Sequence, residues 1–275
     1  MVHDQRSALS SYINRLLSLG RTIFTAEDAE IEIGVSRGAF LDAAERLQRR
    51  GFILSPRQGF YVIVPPQFAS WGAPPPAWYI DALMHHIGEA YYVGLLKAAE
   101  LHGATHQAVM EFQVISSKRL SKIRAGRSLI TFYYRKDIEA VATGIEDRKT
   151  DTGKMKISSP ALTALDLLRY PQASGGIDNI ATVLSDLSPK IQADQLSVLS
   201  TNMERPVIQR LGYLMDWLGH GQIAAQMHNT LLSRGISRWT YLDRKEALDP
   251  DFATEPQERN DRWRVQVNRI PEIDE

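Results

Sequence analysis

Three prolines in succession, Pro74-Pro75-Pro76, set the strongest limit on how this chain can fold. No helix can run through them, because each lacks a backbone donor and has a locked φ, so they favour an extended, stiff connection. Helical apolar spacing starts directly afterwards, at Trp78, Tyr79, Ala82, Leu83, His86 and Ile87. A second run puts Val93, Leu96, Ala99 and Leu101 on one side. A small N-terminal unit therefore ends at this junction, and a larger one opens with a pair of buried helices. The predicted division is a unit over residues 1–66, a Pro-rich connector over 67–77 and a larger domain over 78–275.

Within the first unit, residues 4–20 read as a helix with Leu9, Ile13, Leu16 and Leu17 on one side and Gly20 closing it. Thr25 followed by Ala-Glu-Asp-Ala is a capped start for a second, short helix, which Ile33-Gly34-Val35-Ser36 ends in a tight turn. Ser36 caps a third helix that runs to Arg50 and stops at Gly51, with Phe40, Ala44 and Leu47 inward. Two apolar runs, 52–55 and 60–64, flank the turn Pro56-Arg57-Gln58-Gly59 and predict a β-hairpin. Helix, helix–turn–helix, hairpin is the element order of a winged helix-turn-helix, with the third helix as the reading helix and the hairpin as its wing. The plainer alternative is a small helical cap that only packs on the rest.

Charge both supports and qualifies the DNA-binding reading. Between residues 36 and 60, Arg37, Arg46, Arg49, Arg50 and Arg57 face only Asp42 and Glu45, a surplus of three positive charges. The planar fork of arginine suits phosphate oxygens and guanine edges. A helical wheel sets Gly38, Asp42, Glu45, Arg46 and Arg49 on the outer face, so the two carboxylates must turn toward base amino groups or weaken binding. Arg57 is expected at the wing tip, and Arg37 beside the helix N-terminus.

The larger domain continues with strand-like runs at 112–115, 129–134 and 155–157. From Phe112 to Lys136 the chain has seven cations (Lys118, Arg119, Lys122, Arg124, Arg127, Arg135, Lys136) and no acid. Lys118–Arg127 reads as an exposed connection between strands and as a second DNA-binding patch, one that tracks phosphates without reading sequence. The plainer alternative is a solvated loop whose charges offset acids elsewhere. Ser159-Pro160 starts a helix carrying Leu162, Leu165 and Leu168 inward. Further helices are predicted over 177–187, from Ser188-Pro189 to Thr201, from Arg205-Pro206 to Leu218 and over 222–233. Strand candidates lie at 237–242 and 263–267. The predicted class is α+β: a winged helix-turn-helix, then a larger α+β domain with a small antiparallel-rich sheet and a helical C-terminal half.

Most chemistry is disfavoured by the residues themselves. With no cysteine in 275 residues, disulfides, thiolate catalysis and Cys-based zinc sites are excluded. His102 and His106 are four apart, but Gly103 breaks their shared helix face and no glutamate completes a zinc-protease signature. The consecutive pair His85-His86 points in different directions. Phosphate-cradling glycine loops and the Gly-Xaa-Ser-Xaa-Gly elbow are absent from the sequence. Glu111, Asp137, Glu139 and Lys154 do not form a tight nuclease set. No catalytic residue, metal or cofactor is therefore predicted. The leucines and aromatics of 160–235 read as core rather than as a partner surface. No apolar run spans a bilayer and no leader pattern is seen, so a cytoplasmic protein without membrane partners is expected.

One motif run carries a family likeness. Trp78-Tyr79-Ile80-Asp81, Tyr91-Tyr92-Val93-Gly94-Leu95-Leu96, Ala98-Ala99 and Leu101-His102-Gly103 open it. Tyr134-Arg135-Lys136, Ser159-Pro160, Thr163-Ala164-Leu165-Asp166-Leu167, Arg169-Tyr170-Pro171 and Gly175-Gly176-Ile177-Asp178-Asn179 continue it. This run resembles the C-terminal domain of AbiEi-type antitoxins, the transcription-repressing halves of type IV abortive-infection toxin–antitoxin systems, and covers most of residues 74–220. The resemblance implies a repressor that binds inverted repeats in the double-stranded operator DNA of its own operon. It also implies a C-terminal domain that counters a nucleotidyltransferase-like toxin encoded beside it, without requiring a stable complex. Two rivals remain at this stage: a DNA-directed nuclease-like hydrolase, and a module that binds a toxin directly.

Overall fold

The computed structural model describes residues 2–105, 108–235, 238–243 and 258–273, with side chains from residue 8 onward. The chain is α+β, with small sheets and a helical C-terminal half. It begins with α1 (Val2–Ser18), β1 (Ile23–Thr25), α2 (Ala26–Ile33), α3 (Arg37–Arg49), β2 (Ile53–Arg57) and β3 (Phe60–Ile63). Then come α4 (Ile80–Ile87), β4 (Tyr91–Val93), α5 (Leu95–Leu101), β5 (Glu111–Ser116), β6 (Ile123–Ala125), β7 (Ser128–Tyr134), β8 (Ile145–Thr150) and β9 (Gly153–Ser158). The helical half is α6 (Pro160–Arg169), α7 (Gly176–Leu187), α8 (Ala193–Ser200), α9 (Arg205–Trp217) and α10 (Gly221–Ser233). Among the described residues, the short strands β10 (Thr240–Tyr241), β11 (Glu258–Asn260) and β12 (Val265–Val267) follow.

Contacts divide the chain into two compact units. One holds Met1–Tyr91, Met110–Lys136 and Asp147–Lys156; the other holds Tyr92–Val109, Asp137–Glu146 and Ile157–Glu275.

In the first unit the local chemistry produces the expected helices. The Thr25 hydroxyl accepts from Asp28 N at 3.1 Å while the Asp28 carboxylate accepts from Thr25 N, a closed capping box on α2. Gly34 ends that helix in the left-handed conformation at φ 69°, which a side chain would resist, and the Ser36 hydroxyl accepts from Ala39 N to start α3. The buried faces of α1 and α3 (Leu9, Ile13, Leu16; Phe40, Ala44, Leu47) close over Phe24, Ile53, Tyr61 and Ile63. Phe24 stacks on Tyr61 at 5.2 Å, with Tyr12 and Phe40 edge-on to them. β1 pairs antiparallel with β3, so the hairpin is the larger part of a three-stranded sheet. Three residues are too few for alternation to register, which is why β1 has no sequence signature.

The same unit carries β5, β6 and β7, with β7 in the middle. β6 and β7 form an antiparallel hairpin turning at Gly126-Arg127, and β5 runs parallel to β7 from Glu111↔Leu129 to Ser116↔Tyr134. The intervening β6 makes the second reversal that lets β5 and β7 share a direction.

In the second unit, α6 is the central helix, buried throughout Ala161–Leu168 and packed against α5, α7, α8 and α9. Ser159 caps it and Pro160 stands where a missing N–H does no harm. Tyr92 O–H donates to the wholly buried Asp166 carboxylate at 2.6 Å. Ser188-Pro189 yields only a single 3-10 turn. Ile191 and Gln192 are extended, and the next helix begins afresh at Ala193. In the tail, the strands are shorter than expected, with Ser237 outside the described residues. Trp263, wholly buried, lies against Gly212 and donates its indole N–H to Asp216 at 2.6 Å.

Candidate nucleic-acid interface

The inner face of α3 is taken by Phe40, Ala43, Ala44 and Leu47, which leaves Arg37, Arg46, Arg49 and Arg50 in solvent. Two of these are paired: Arg37 with Glu30 of α2 at 2.7 Å, and Arg49 with Glu45 one turn earlier at 2.6 Å. Both guanidinium groups stay open to water, with 50% and 76% of the side chains exposed. Exposed pairs of this kind contribute only about 0–1 kcal/mol, so a phosphate can displace the carboxylate at little cost. Arg50 lies over the Phe52 ring at 4.7 Å. Arg46 is exposed, with no side-chain partner among the described residues.

Arg57 at the end of β2 is placed differently. It is half-buried, and its Nη2 donates to the main-chain carbonyl of Ser121 at 2.8 Å. The hairpin turn is held on another side by α4, where His86 Nε2 lies 3.0 Å from the Gln58 carbonyl and its ring meets Phe60. These contacts link residues far apart in sequence, so spacing gives no sign of them.

The second basic segment lies in the same unit. Lys118 is 3.4 Å from Glu89, and Lys122 is 3.6 Å from Glu111. Arg119 covers the Tyr134 ring at 4.6 Å and Arg127 covers Trp71 at 5.5 Å. Arg124 is exposed, with no side-chain partner among the described residues. Arg135, from the same run, is buried and does not add to the surface charge. The plainer reading is therefore partly realised, since acids from elsewhere in the chain meet Lys118 and Lys122. The cations nevertheless remain at the surface, and the tie from Arg57 to Ser121 brings this segment against the hairpin.

Groups considered for other chemistry are engaged locally. His102 Nε2 is 2.7 Å from the Ser158 carbonyl, while His106 lies outside the described residues. Lys154 and Lys156 both bind Asp147, and their hydrogen bonds hold its carboxyl below the ordinary carboxylate range. Asp137 accepts from Ala140 N. Among the described residues, no three His, Asp or Glu side chains converge as a metal site would require. Within the same limits, no helix is long and apolar enough to cross a membrane.

An α+β protein whose N-terminal unit exposes an arginine-bearing helix beside a hairpin, and whose C-terminal half is a helical assembly around α6, is the class defined by this geometry. Residues 92–217 match the family model described as the AbiEi antitoxin C-terminal domain, which supports an AbiEi-type antitoxin and an antitoxin role. A solved structure with a similar fold is the crystal structure of the RV2827C protein from Mycobacterium tuberculosis. The TM-score is 0.66 at 17% identity, over 95% of this chain and 90% of that one. No curated protein matches the chain in sequence.

Proposed function

We propose that the chain is a DNA-binding repressor and antitoxin that autoregulates its operon and counters a nucleotidyltransferase-type toxin. The N-terminal unit acts as a winged helix-turn-helix, with α3 in the major groove and the β2–β3 hairpin as its wing. The observation that carries the reading is the outer face of α3, where Arg46 has no side-chain partner among the described residues and Arg37 and Arg49 meet carboxylates in exposed ion pairs. Each can exchange its carboxylate for a phosphate or a guanine edge. Arg50, Lys118, Arg119, Lys122, Arg124 and Arg127 add sequence-independent attraction. The operator is a duplex with inverted repeats, and the antitoxin effect belongs to the matched 92–217 region.

The test is a gel shift on the chain's own promoter with Arg37→Ala, Arg46→Ala and Arg49→Ala. Each loss of a phosphate contact should lower the salt slope of binding by about one unit. Wild-type affinity and slope in all three variants would remove α3 as the reading helix.

A further inference from the structure

Arg57 differs from every other cation in the interface. It is half-buried, and its Nη2 donates to a main-chain oxygen 64 residues away rather than to a carboxylate. We infer that Arg57 is a positioning residue: it clasps the middle of segment 117–127 to the hairpin, so that Lys122 and Arg124 extend the phosphate-contacting surface beyond α3. This rests on the proposal that α3 and the hairpin lie against duplex DNA.

Both sides of the clasp support the assignment. The hairpin is a fixed post, because α4 holds its turn through His86 Nε2 at the Gln58 carbonyl, and the His86 ring lies against Phe60. The segment is tied at its two ends by backbone hydrogen bonds, Ser117 N to the Ala90 carbonyl at 3.1 Å and Arg127 N to the Trp71 carbonyl at 3.0 Å. Between these ties, β6 is a three-residue strand paired with β7, and Arg57 grips the loop just before it. Lys122 and Arg124 both follow the gripped carbonyl, one beside Ser121 and the other on β6, where it pairs with Leu129 of β7. Releasing the grip would free Lys122 with the loop and let the three-residue β6 fray from its end at Ile123, so the phosphate contacts of both cations would then have to offset the entropy of ordering them. The acceptor is main-chain, so the grip depends on the guanidinium and not on the Ser121 hydroxyl.

The experiment measures duplex binding by fluorescence anisotropy over a salt series for the full chain. The variants are Arg57→Ala, Ser121→Ala, Lys122→Ala/Arg124→Ala and the corresponding triple. The clasp predicts that Arg57→Ala and the double variant weaken binding by similar factors and each lower the salt slope by about two. It also predicts that the triple is no weaker than the double, and that Ser121→Ala binds as wild type. A fall of about one in slope for Arg57→Ala, with its effect undiminished in the triple, would make Arg57 an ordinary phosphate contact and overturn the inference. So would an Arg57→Ala variant that binds as wild type. Amide exchange in the free protein separates this from failure of the DNA reading. If wild type binds no duplex, the DNA reading falls, and faster exchange confined to 117–124 in Arg57→Ala still shows the grip. Unchanged exchange there overturns the clasp whatever the DNA result.

Discussion

Tyr79 is wholly buried, and its hydroxyl has no hydrogen-bond partner among the described residues. An unsatisfied buried hydroxyl carries its desolvation cost without return. Tyr79→Phe is expected to leave stability unchanged or to raise it by up to about 1 kcal/mol, read by urea melts. Tyr91 contrasts with it, donating to Asp81 at 2.9 Å and accepting from Lys156 N. Burial, with the Asp81 carboxylate adding to it, pushes the Tyr91 phenol well above its ordinary 10.0, and burial alone does the same for Tyr79. A folded-state pKa above the unfolded value means stability that is complete below that unfolded value and is lost as pH rises past it. Melts taken across the alkaline range should therefore decline from about pH 10 upward, and less steeply in Tyr79→Phe and Tyr91→Phe. At Gly126 the φ of +56° disfavours any side chain, and a Cβ would collide with the Trp71 carbonyl that receives Arg127 N. Gly126→Ala should cost about 2 kcal/mol or more in a chemical melt, because backbone atoms have to move apart.

At the scale of elements, the caps are where sequence and structure agree most directly. Thr25 and Ser36 each satisfy a helix N–H that has no intrahelical partner. Thr25→Ala should lower stability by about 1 kcal/mol, and Thr25→Asn by less, since asparagine can cap as well. The hairpin obeys the same logic, with Gly59 at φ 78° making its turn. Its partner β1 and the reversal through β6 could not be read in the same way. Strands of three residues carry too little pattern, and their pairing is decided by which edge the folded chain brings near.

Across the whole molecule, the proposed DNA contacts of α3 and the hairpin precede the matched region over 92–217, whereas the proposed second patch, Lys118–Arg127, lies inside it. On the proposed function, an Arg46→Ala/Arg49→Ala variant is expected to lose promoter binding yet still rescue growth when the proposed toxin partner is expressed. Loss of both together, with the fold intact by circular dichroism, would mean that one surface serves both ends. In amide exchange, operator DNA should protect 36–63 and 117–127 while leaving α6 and α9 unchanged.

From the sequence alone came the features governed by contacts within a few residues: the caps at Thr25, Ser36 and Ser159, the Gly-closed turns, the inward faces of α1, α3 and α6, and the acid-free run after Phe112. The i,i+4 pair Glu45–Arg49 also belongs to this local class. Only the folded chain decided which cations are answered and which are left open. Glu30, Glu89 and Glu111 reach Arg37, Lys118 and Lys122, Arg135 is buried, and Arg57 holds Ser121. Those outcomes depend on distances set by the path of the backbone between remote residues, and no local propensity or spacing encodes that path.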